Sequence, residues 1–445
     1  MASGEPAHAG RGFQTLEVDV VVCGGGVAGT MAAVAAARLG ATVVLVERYG
    51  FLGGNATAGA VAQFNSWQTG AGRRVVAGLA EEVVQRLERL DGASPHETFV
   101  MSTGHRMDRV VYAPEILKLV LDELVVEAGV RPLLHGMLVD VGVRGRQVES
   151  LRVLTKSGIL TLAPRVVIDA SGDMDLLHRA GARFLQLDAG EALQPATMMF
   201  RFGPIDFERV ASIERSELHA LAQRGFAQGH LARAALHFSR DPHSGDAWFN
   251  IGRLGIDATD AFALGAAEIE GRRQAWRAAQ YLKQSIPGCE AGRLRGFATQ
   301  VGVRETRRVE GDHVLTAEEL MQPVRFEDSI AMGAYPIDVH PAAGGGLRYT
   351  PMGEDHAYCI PFRSLIPSAL DNSLAVGRGV SATHEALAAI RVMTISMAVG
   401  QAGGTAAALA ASTAARAGSG TPADIRAVDV AGLQSTLIRN GALVL

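Results

Sequence analysis

Hydrophobic and polar positions alternate in a recognisable order from residue 18 onward. Val18-Asp19-Val20-Val21-Val22-Cys23 is a β-branched run of the kind that forms a buried strand. Gly24-Gly25-Gly26-Val27-Ala28-Gly29 follows, then an alanine-rich stretch to Leu39-Gly40, then Ala41-Thr42-Val43-Val44-Leu45-Val46 closed by Glu47. This order predicts strand, helix and strand. Residues 78–90 predict a helix, and residues 114–128 do so more strongly, with Ile116, Leu117, Val120, Leu121, Leu124 and Val125 at helical spacing. Short strands are expected over residues 131–143, 148–155 and 159–162, with Lys156-Ser157-Gly158 suited to a hairpin turn. Residues 164–168 read as another buried strand, ending in the small-residue turn Asp169-Ala170-Ser171-Gly172-Asp173. The alternation then lapses until Ser373–Gly379, a strand leading into a loop. A small-residue helix follows over residues 393–415, with Gly400, Gly403 and Gly404 suited to close packing on a sheet.

These breaks divide the chain into a leader (1–16), a nucleotide-binding part (17–183), a substrate or cap domain (184–367) and a returning part (368–445). In the third segment aromatics, Met, His and Arg become more common. At 445 residues the chain is too long for one simple core. A formal net charge of -4 counts against nucleic-acid binding, and no apolar run reaches the length of a membrane span. The 3 cysteines, Cys23, Cys289 and Cys359, form no C-x-x-C pair, give no metal or disulfide framework and fit a reducing cytoplasm. The leader lacks the apolar segment of a signal peptide. A homo-oligomer is left open.

The glycine cluster carries the most specific chemistry. Gly24 permits a tight turn out of the strand, Gly26 keeps a side chain away from a pyrophosphate, and Gly29 lets the helix lie close to the sheet. The helix N-terminus offers unsatisfied N–H groups and partial positive charge to phosphates. Glu47 stands where a carboxylate can accept hydrogen bonds from a ribose diol. The bland alternative is an ordinary glycine-rich turn; strand, helix and acid in order favour a dinucleotide site without saying which dinucleotide. Just beyond, Arg48 to Gly59 is a glycine-rich loop that allows close backbone approach to a large cofactor.

Together with Gly53-Gly54-Asn55-Ala56-Thr57, Ile168-Asp169-Ala170-Ser171-Gly172-Asp173, Val301–Arg308, Tyr335-Pro336-Ile337-Asp338-Val339-His340 and Val376–Met393, the chain resembles FAD-dependent oxidoreductases of the glutathione-reductase-type fold. Within them it is similar to relatives of the fumarate reductase and ketosteroid dehydrogenase flavoproteins. The resemblance implies an α/β protein: a Rossmann-like FAD-binding domain of parallel sheet plus β-meander, with an inserted α+β substrate domain. It implies that the pyrophosphate lies over Gly24, Gly26, Val27, Ala28 and Gly29, and that Glu47 holds the adenosine ribose. Arg48, Gly54, Asn55 and Thr57 would approach pyrophosphate, ribitol and flavin. Met137 and Leu138 would offer backbone hydrogen bonds to adenine, and Ala170, Ser171, Gly172 and Asp173 would close that end. Gly377 and the Arg391–Met393 segment would meet ribitol and isoalloxazine. Many relatives carry an Asp in the last turn; Arg378-Gly379 stands there instead, so Arg378 is the candidate ribitol or pyrophosphate contact.

A flavin carries the hydride and electron chemistry, leaving the protein to position substrate and move a proton. Asp338 and His340 are two apart and share a side in extended backbone, so the acid can orient a histidine base; a structural hydrogen-bonded pair is the alternative. His384 and Glu385 precede the flavin-facing helix, as active-site groups or as a charged helix start. Arg391 can hold a substrate carboxylate or cofactor phosphate. For Arg304, Arg307 and Arg308, interleaved with Glu305 and Glu310, a salt-bridged helix face is preferred over a carboxylate site. Tyr335 and Tyr358 suit packing better than proton donation, and Met198, Met199, Met393 and Met397 read by type as core fillers. Gly344-Gly345-Gly346 precedes no helical pattern, which counts against a second, nicotinamide-binding unit. The expectation is an FAD-dependent dehydrogenase or oxidase of a small organic metabolite, passing hydride to flavin N5 and reoxidised by oxygen, a quinone or a protein acceptor. A monooxygenase, an NAD(P)H-linked reductase and a non-catalytic flavin-binding module are the alternatives.

Overall fold

The computed structural model describes residues 15–100, 104–322, 324–341, 347–418 and 422–444; most of the 1–16 leader and Gly344–Gly346 lie outside them. Strand β1 (Leu16–Cys23), helix α1 (Val27–Arg38) and strand β2 (Val43–Glu47) form the expected unit, with parallel pairing from Val20–Val43 to Cys23–Val46. They sit in a 7-stranded sheet ordered Arg131–Leu134, β2, β1, Gly158–Asp169, Gln147–Thr155, Met137–Arg144, with Ser373–Ala375 also on Gly158–Asp169. The last three strands before Asp169 run antiparallel as a meander, and the rest pair in parallel. The hairpin turn at Lys156-Ser157 falls where expected.

Gly158–Asp169 is one strand of 12 residues rather than two short ones. Its first part pairs with Gln147–Thr155 as far as Leu162, and its last part pairs with Ser373–Ala375 from Val167. The partner changes around Pro164, which lacks an N–H to donate to a ladder. The strand itself continues because β1 runs beside it throughout that stretch. Its end turns sharply because the buried Asp169 carboxylate accepts from Ser171 N, Ser171 Oγ and Leu177 N. That network shapes Ala170–Asp173.

The helix Met393–Ala417 lies against α1, and small residues make this possible. A methyl group on Gly400 would fall 2.1 Å from the Ala28 carbonyl oxygen, and one on Gly404 would fall 2.0 Å from that of Ala32. The two glycines are one turn apart on one face, so the helix backbones meet directly. Gly29 does the same job toward the sheet, since a methyl there would meet the Gly24 carbonyl at 1.9 Å.

Residues 184–367 contribute to three apolar cores, the one around the outer face of the large sheet only through Val309 and the adjoining Phe184. Phe200, Phe202, Phe249, Leu254, Tyr281 and Leu282 belong to one of their own, around the antiparallel strands Phe238–Arg240, Ala247–Phe249, Phe200–Gly203 and Arg293–Phe297 and the helix Ala261–Ser285. Ile330, Tyr335, Ile337, Tyr358 and Phe362 join the core of α1 and the long C-terminal helix instead. Residues 302–309 are not a helix, which corrects the salt-bridged helix face expected for Arg304, Arg307 and Arg308. The segment is irregular and runs from the core of Val301 and Val303 to that of Val309, bridging to Thr197 at Gly302 and to Phe184 at Val309. Among the described residues no single helix is long and apolar enough to cross a membrane. Cys23, Cys289 and Cys359 are buried free thiols.

Candidate functional site

A cavity of about 420 Å³ opens at the C-terminal edge of β1 and β2. Gly24 leaves β1 at a φ of 103°, a left-handed value that favours glycine, and a methyl there would strike the Ala170 carbonyl at 2.3 Å. The loop therefore lies tight against the Asp169–Asp173 turn. Gly26 is the N-cap of α1 and supplies no side-chain cap, so the first-turn N–H groups and the helix dipole are left for a ligand. Glu47 Oε2 accepts from Gly25 N at 2.7 Å and Oε1 from Tyr49 N at 2.9 Å, which fixes the carboxylate at the cavity wall. Gly24, Gly26, Val27, Ala28, Glu47, Arg48, Gly54, Asn55, Ala170, Ser171, Gly172, Asp173, Gly377, Arg378, Arg391 and Met393 all line this cavity.

Arg378 Nη2 reaches Asp173 Oδ1 at 2.7 Å, and Thr306 Oγ1 joins both partners. Burial alone would raise the Asp173 carboxyl; Arg378 and Thr306 outweigh it and hold it below its ordinary value. The carboxylate facing this part of the cavity thus comes from residue 173, with the arginine of the last turn as its partner.

Other expected contacts lie behind the wall or away from it. Gly29 packs on Gly24 and Ala170, and Thr57 Oγ1 donates to Leu52 O at 2.5 Å, bracing the glycine loop. Met137 is 55% exposed on the strand Met137–Arg144, and neither it nor Leu138 lines the cavity. Glu268, Gln300 and Ser396, which carry no local motif, line it too, as does Tyr49 of the glycine-rich loop. Gln300 Oε1 accepts from Arg48 at 2.8 Å and from Tyr49 OH at 2.6 Å, so the segment before Arg304 closes over the glycine loop.

A second cavity, about 190 Å³, shares Asn55, Val303, Arg378, Arg391 and Met393 with the first. His340, Asp338, Tyr335, Arg304, Arg233 and His237 line it as well. Asp338 and His340 share a side, as expected, with His340 Nε2 3.4 Å from Asp338 Oδ2. The same oxygen accepts from Tyr335 OH at 2.9 Å. Burial would raise Asp338, but His340, Arg391 and Tyr335 together hold it well below the usual carboxylate range. Burial, and then the charge of Arg304, push His340 down to about 3, so the ring is neutral near pH 7. Arg304 donates to Pro195 O, Thr197 Oγ1 and Asn250 Oδ1; burial and the charges of Arg391 and Arg233 lower it to about 9.

Tyr358, by contrast, is fully buried and donates to Tyr335 O. Met198 and Met397 fill cores, whereas Met199 and Met393 also reach the second cavity. Arg307 turns back to Asp173 O and Asp175, and Arg308 to Ala382 O and Glu305.

His384 and Glu385 line neither cavity. His384 is 4% exposed, with Nδ1 2.9 Å from Glu305 Oε1. Glu305 Oε2 accepts from Gln194 N, and Gln194 Oε1 accepts from Arg391 Nη2 at 3.1 Å and from His340 N. His384 thus reaches Arg391 and His340 only through a relay. Glu385 is partly buried in the first turn of His384–Ile390. Arg233, His237, Asn250 and Gln194 were missed because only the chain crossing between the two cores brings them here.

The family described as FAD dependent oxidoreductase matches residues 19–437. The chain belongs to that family. FAD is the cofactor of this oxidoreductase, and the uncapped helix end, glycine cradle and Glu47 fit an anionic dinucleotide. A search of curated proteins finds no match. Solved structures similar to it include a geranylgeranyl bacteriochlorophyll reductase-like protein from Thermoplasma acidophilum, at 14% identity and TM-score 0.46, covering 91% of this chain and 80% of that one. Another is p-nitrophenol 4-monooxygenase from Pseudomonas putida, at 12% and 0.46, covering 89% and 79%. A third is the myxobacterial chondrochloren halogenase, at 14% and 0.48, covering 96% and 79%. At that distance the likeness is a general one.

Proposed function

We propose that this FAD-dependent oxidoreductase is a dehydrogenase or oxidase of a small organic metabolite that binds in the second cavity. The observation that carries this reading is the shared wall: Arg391 and Met393 border both spaces, and Asp338–His340 faces the second. Bound FAD supplies the hydride-accepting chemistry. In the first cavity the N-terminus of α1 and the glycine loop hold pyrophosphate, Glu47 the ribose, and the Asp173–Arg378 pair the ribitol side. The N-terminus of Met393–Ala417, also without a side-chain cap, turns its dipole toward charge at the flavin end.

Around the substrate, Arg391 orients an acidic group and His340 accepts the proton released on oxidation. Asp338, held ionised, faces His340 Nε2 and stabilises the imidazolium, leaving Nδ1 as the accepting nitrogen. His340 is a weak base while Arg304 and Arg391 are uncompensated; an anionic substrate offsets those charges and strengthens it. Electrons leave to oxygen, a quinone or a protein acceptor.

The test is anaerobic mixing of the yellow holoenzyme with candidate hydroxy acids, amino acids, amines and alcohols while flavin absorbance is followed. Bleaching by an organic substrate is expected. Bleaching by NAD(P)H alone would replace this reading with a monooxygenase or reductase, and an unresponsive flavin would favour a binding module.

A further inference from the structure

The helix Ala261–Ser285 packs its inner face on the aromatic core through Ala267, Ala275, Ala278 and Leu282. Its outer face is not the polar one that a water-facing helix carries. Phe262 is 92% exposed, Ile269 51% and Trp276 52%. The three stand seven residues apart, two turns each time, so they form one apolar row along the helix. Gly265, Ala266, Arg272 and Arg273 are the exposed residues between them. Scattered apolar side chains on a surface need no explanation, but an ordered row marks an interaction site.

The row is complementary to itself. Ile269 lies midway between Phe262 and Trp276. Turned about a two-fold axis at Ile269, a second copy of the helix runs antiparallel. It sets Ile269 against Ile269 and Phe262 against Trp276 in both directions, the self-matching contact of a two-fold dimer. Between these layers Arg272 and Arg273 face Gly265 and Ala266, large against small, which lets the helices approach. Charge matches as well. Glu268 and Glu270 lie one turn beyond Gly265 and Ala266, where the heads of the other copy's arginines arrive. Within one chain Arg272 meets Glu268 at 3.1 Å, but Arg273 is only 3.9 Å from Glu270 and 68% exposed, a loose pair that holds little. A lipid surface fits less well. It calls for a broad apolar face and a strongly basic polar one, whereas this row is one residue wide and glutamates sit among the arginines.

Ala261, Leu264, Gly265 and Glu268, in the first turns of the same helix, border the first cavity. The two-fold pairing therefore brings the second copy's Arg273 and Trp276 to the rim of the cofactor site. We propose that the chain forms a homodimer through the outer face of Ala261–Ser285, and that each copy covers the rim of the other's first cavity.

The test is sedimentation velocity of the holoprotein over a wide range of concentration, with FAD release after dilution followed by flavin fluorescence. A reversible dimer is expected. Ile269→Asp places like charges face to face on the axis at an exposed position. It should weaken the dimer at least about tenfold and speed FAD release, with the circular dichroism spectrum unchanged. Phe262→Glu should weaken the dimer similarly. Adding Trp276→Lys should recover most of that loss, because the register sets position 262 of one copy against position 276 of the other; a merely sticky surface would show no such recovery. A monomer at every concentration, a dimer indifferent to Ile269→Asp, or failure of the paired substitution to restore association would overturn the proposal. So would unchanged FAD release from the monomeric variant, or a monomer that sediments only with phosphatidylcholine–phosphatidylglycerol vesicles.

Discussion

In the proposed oxidation, His340 is the residue on which the chemistry turns. Replacing it with Ala is expected to slow anaerobic flavin reduction by roughly 100-fold, the lower range for loss of a general base, with FAD still bound. Unchanged reduction kinetics would remove it from the mechanism. The same side chain sets a pH dependence of stability. Its folded pKa lies near 3, below an unfolded value of about 6.5, so between those limits the unfolded chain binds the extra proton. Stability is therefore full above about pH 6.5 and is lost as pH falls toward 3. Asp338, depressed from its ordinary value, contributes stability that starts to be lost as pH falls through about 3.9, its unfolded value, and continues to be lost below it. Melting curves from pH 7 to 5 should show a decline that is shallower in His340→Ala; equal slopes would show that His340 is not the group responsible. The Asp338–His340 pairing was legible in the sequence because two residues apart on extended backbone face one way. His384 misled, since proximity to the flavin-facing helix in sequence says nothing about which way its ring turns. Its ring is taken by Glu305, a residue 79 positions away.

At the scale of elements, the seam between α1 and Met393–Ala417 sets the shape of one wall of the first cavity. Ala28 lines the first cavity and its carbonyl lies where a Gly400 side chain would go. Gly404→Leu would force the two helices apart at Ala32, and overpacking of this kind costs about 1–3 kcal/mol. Urea denaturation should register that loss, and the variant should retain less FAD through gel filtration than the parent. A variant with full stability and full flavin content would show that the seam tolerates separation. These elements were readable because strand, helix and small-residue patterns are local. Gly158–Asp169 was split at Pro164 because hydropathy cannot show a change of strand partner. Arg304, Arg307 and Arg308 read as a helical face because they alternate with Glu305 and Glu310, whereas tertiary contacts on both sides leave the segment irregular.

For the whole molecule, the first cavity spans a seam between the α1 core and the segment that closes over it through Gln300 and Val303. FAD should therefore stabilise the folded chain by mass action, about 2.7 kcal/mol at a hundredfold excess over its dissociation constant. Differential scanning calorimetry of apoprotein against FAD should show a concentration-dependent rise in melting temperature; no rise would mean that the cavity is not the binding site. By itself the sequence determined the βαβ unit, the glycine loop and its acid, and through them a dinucleotide site; the resemblance carried by the later blocks made that dinucleotide FAD. Those features are short-range, since phosphate binding needs a turn, a helix end and a carboxylate within one stretch of chain. Only the tertiary structure decided what lines the second cavity. Arg233, Arg304, Asp338 and Arg391 are scattered over more than 150 positions, and their charges act on one another only once folding has removed those side chains from water together.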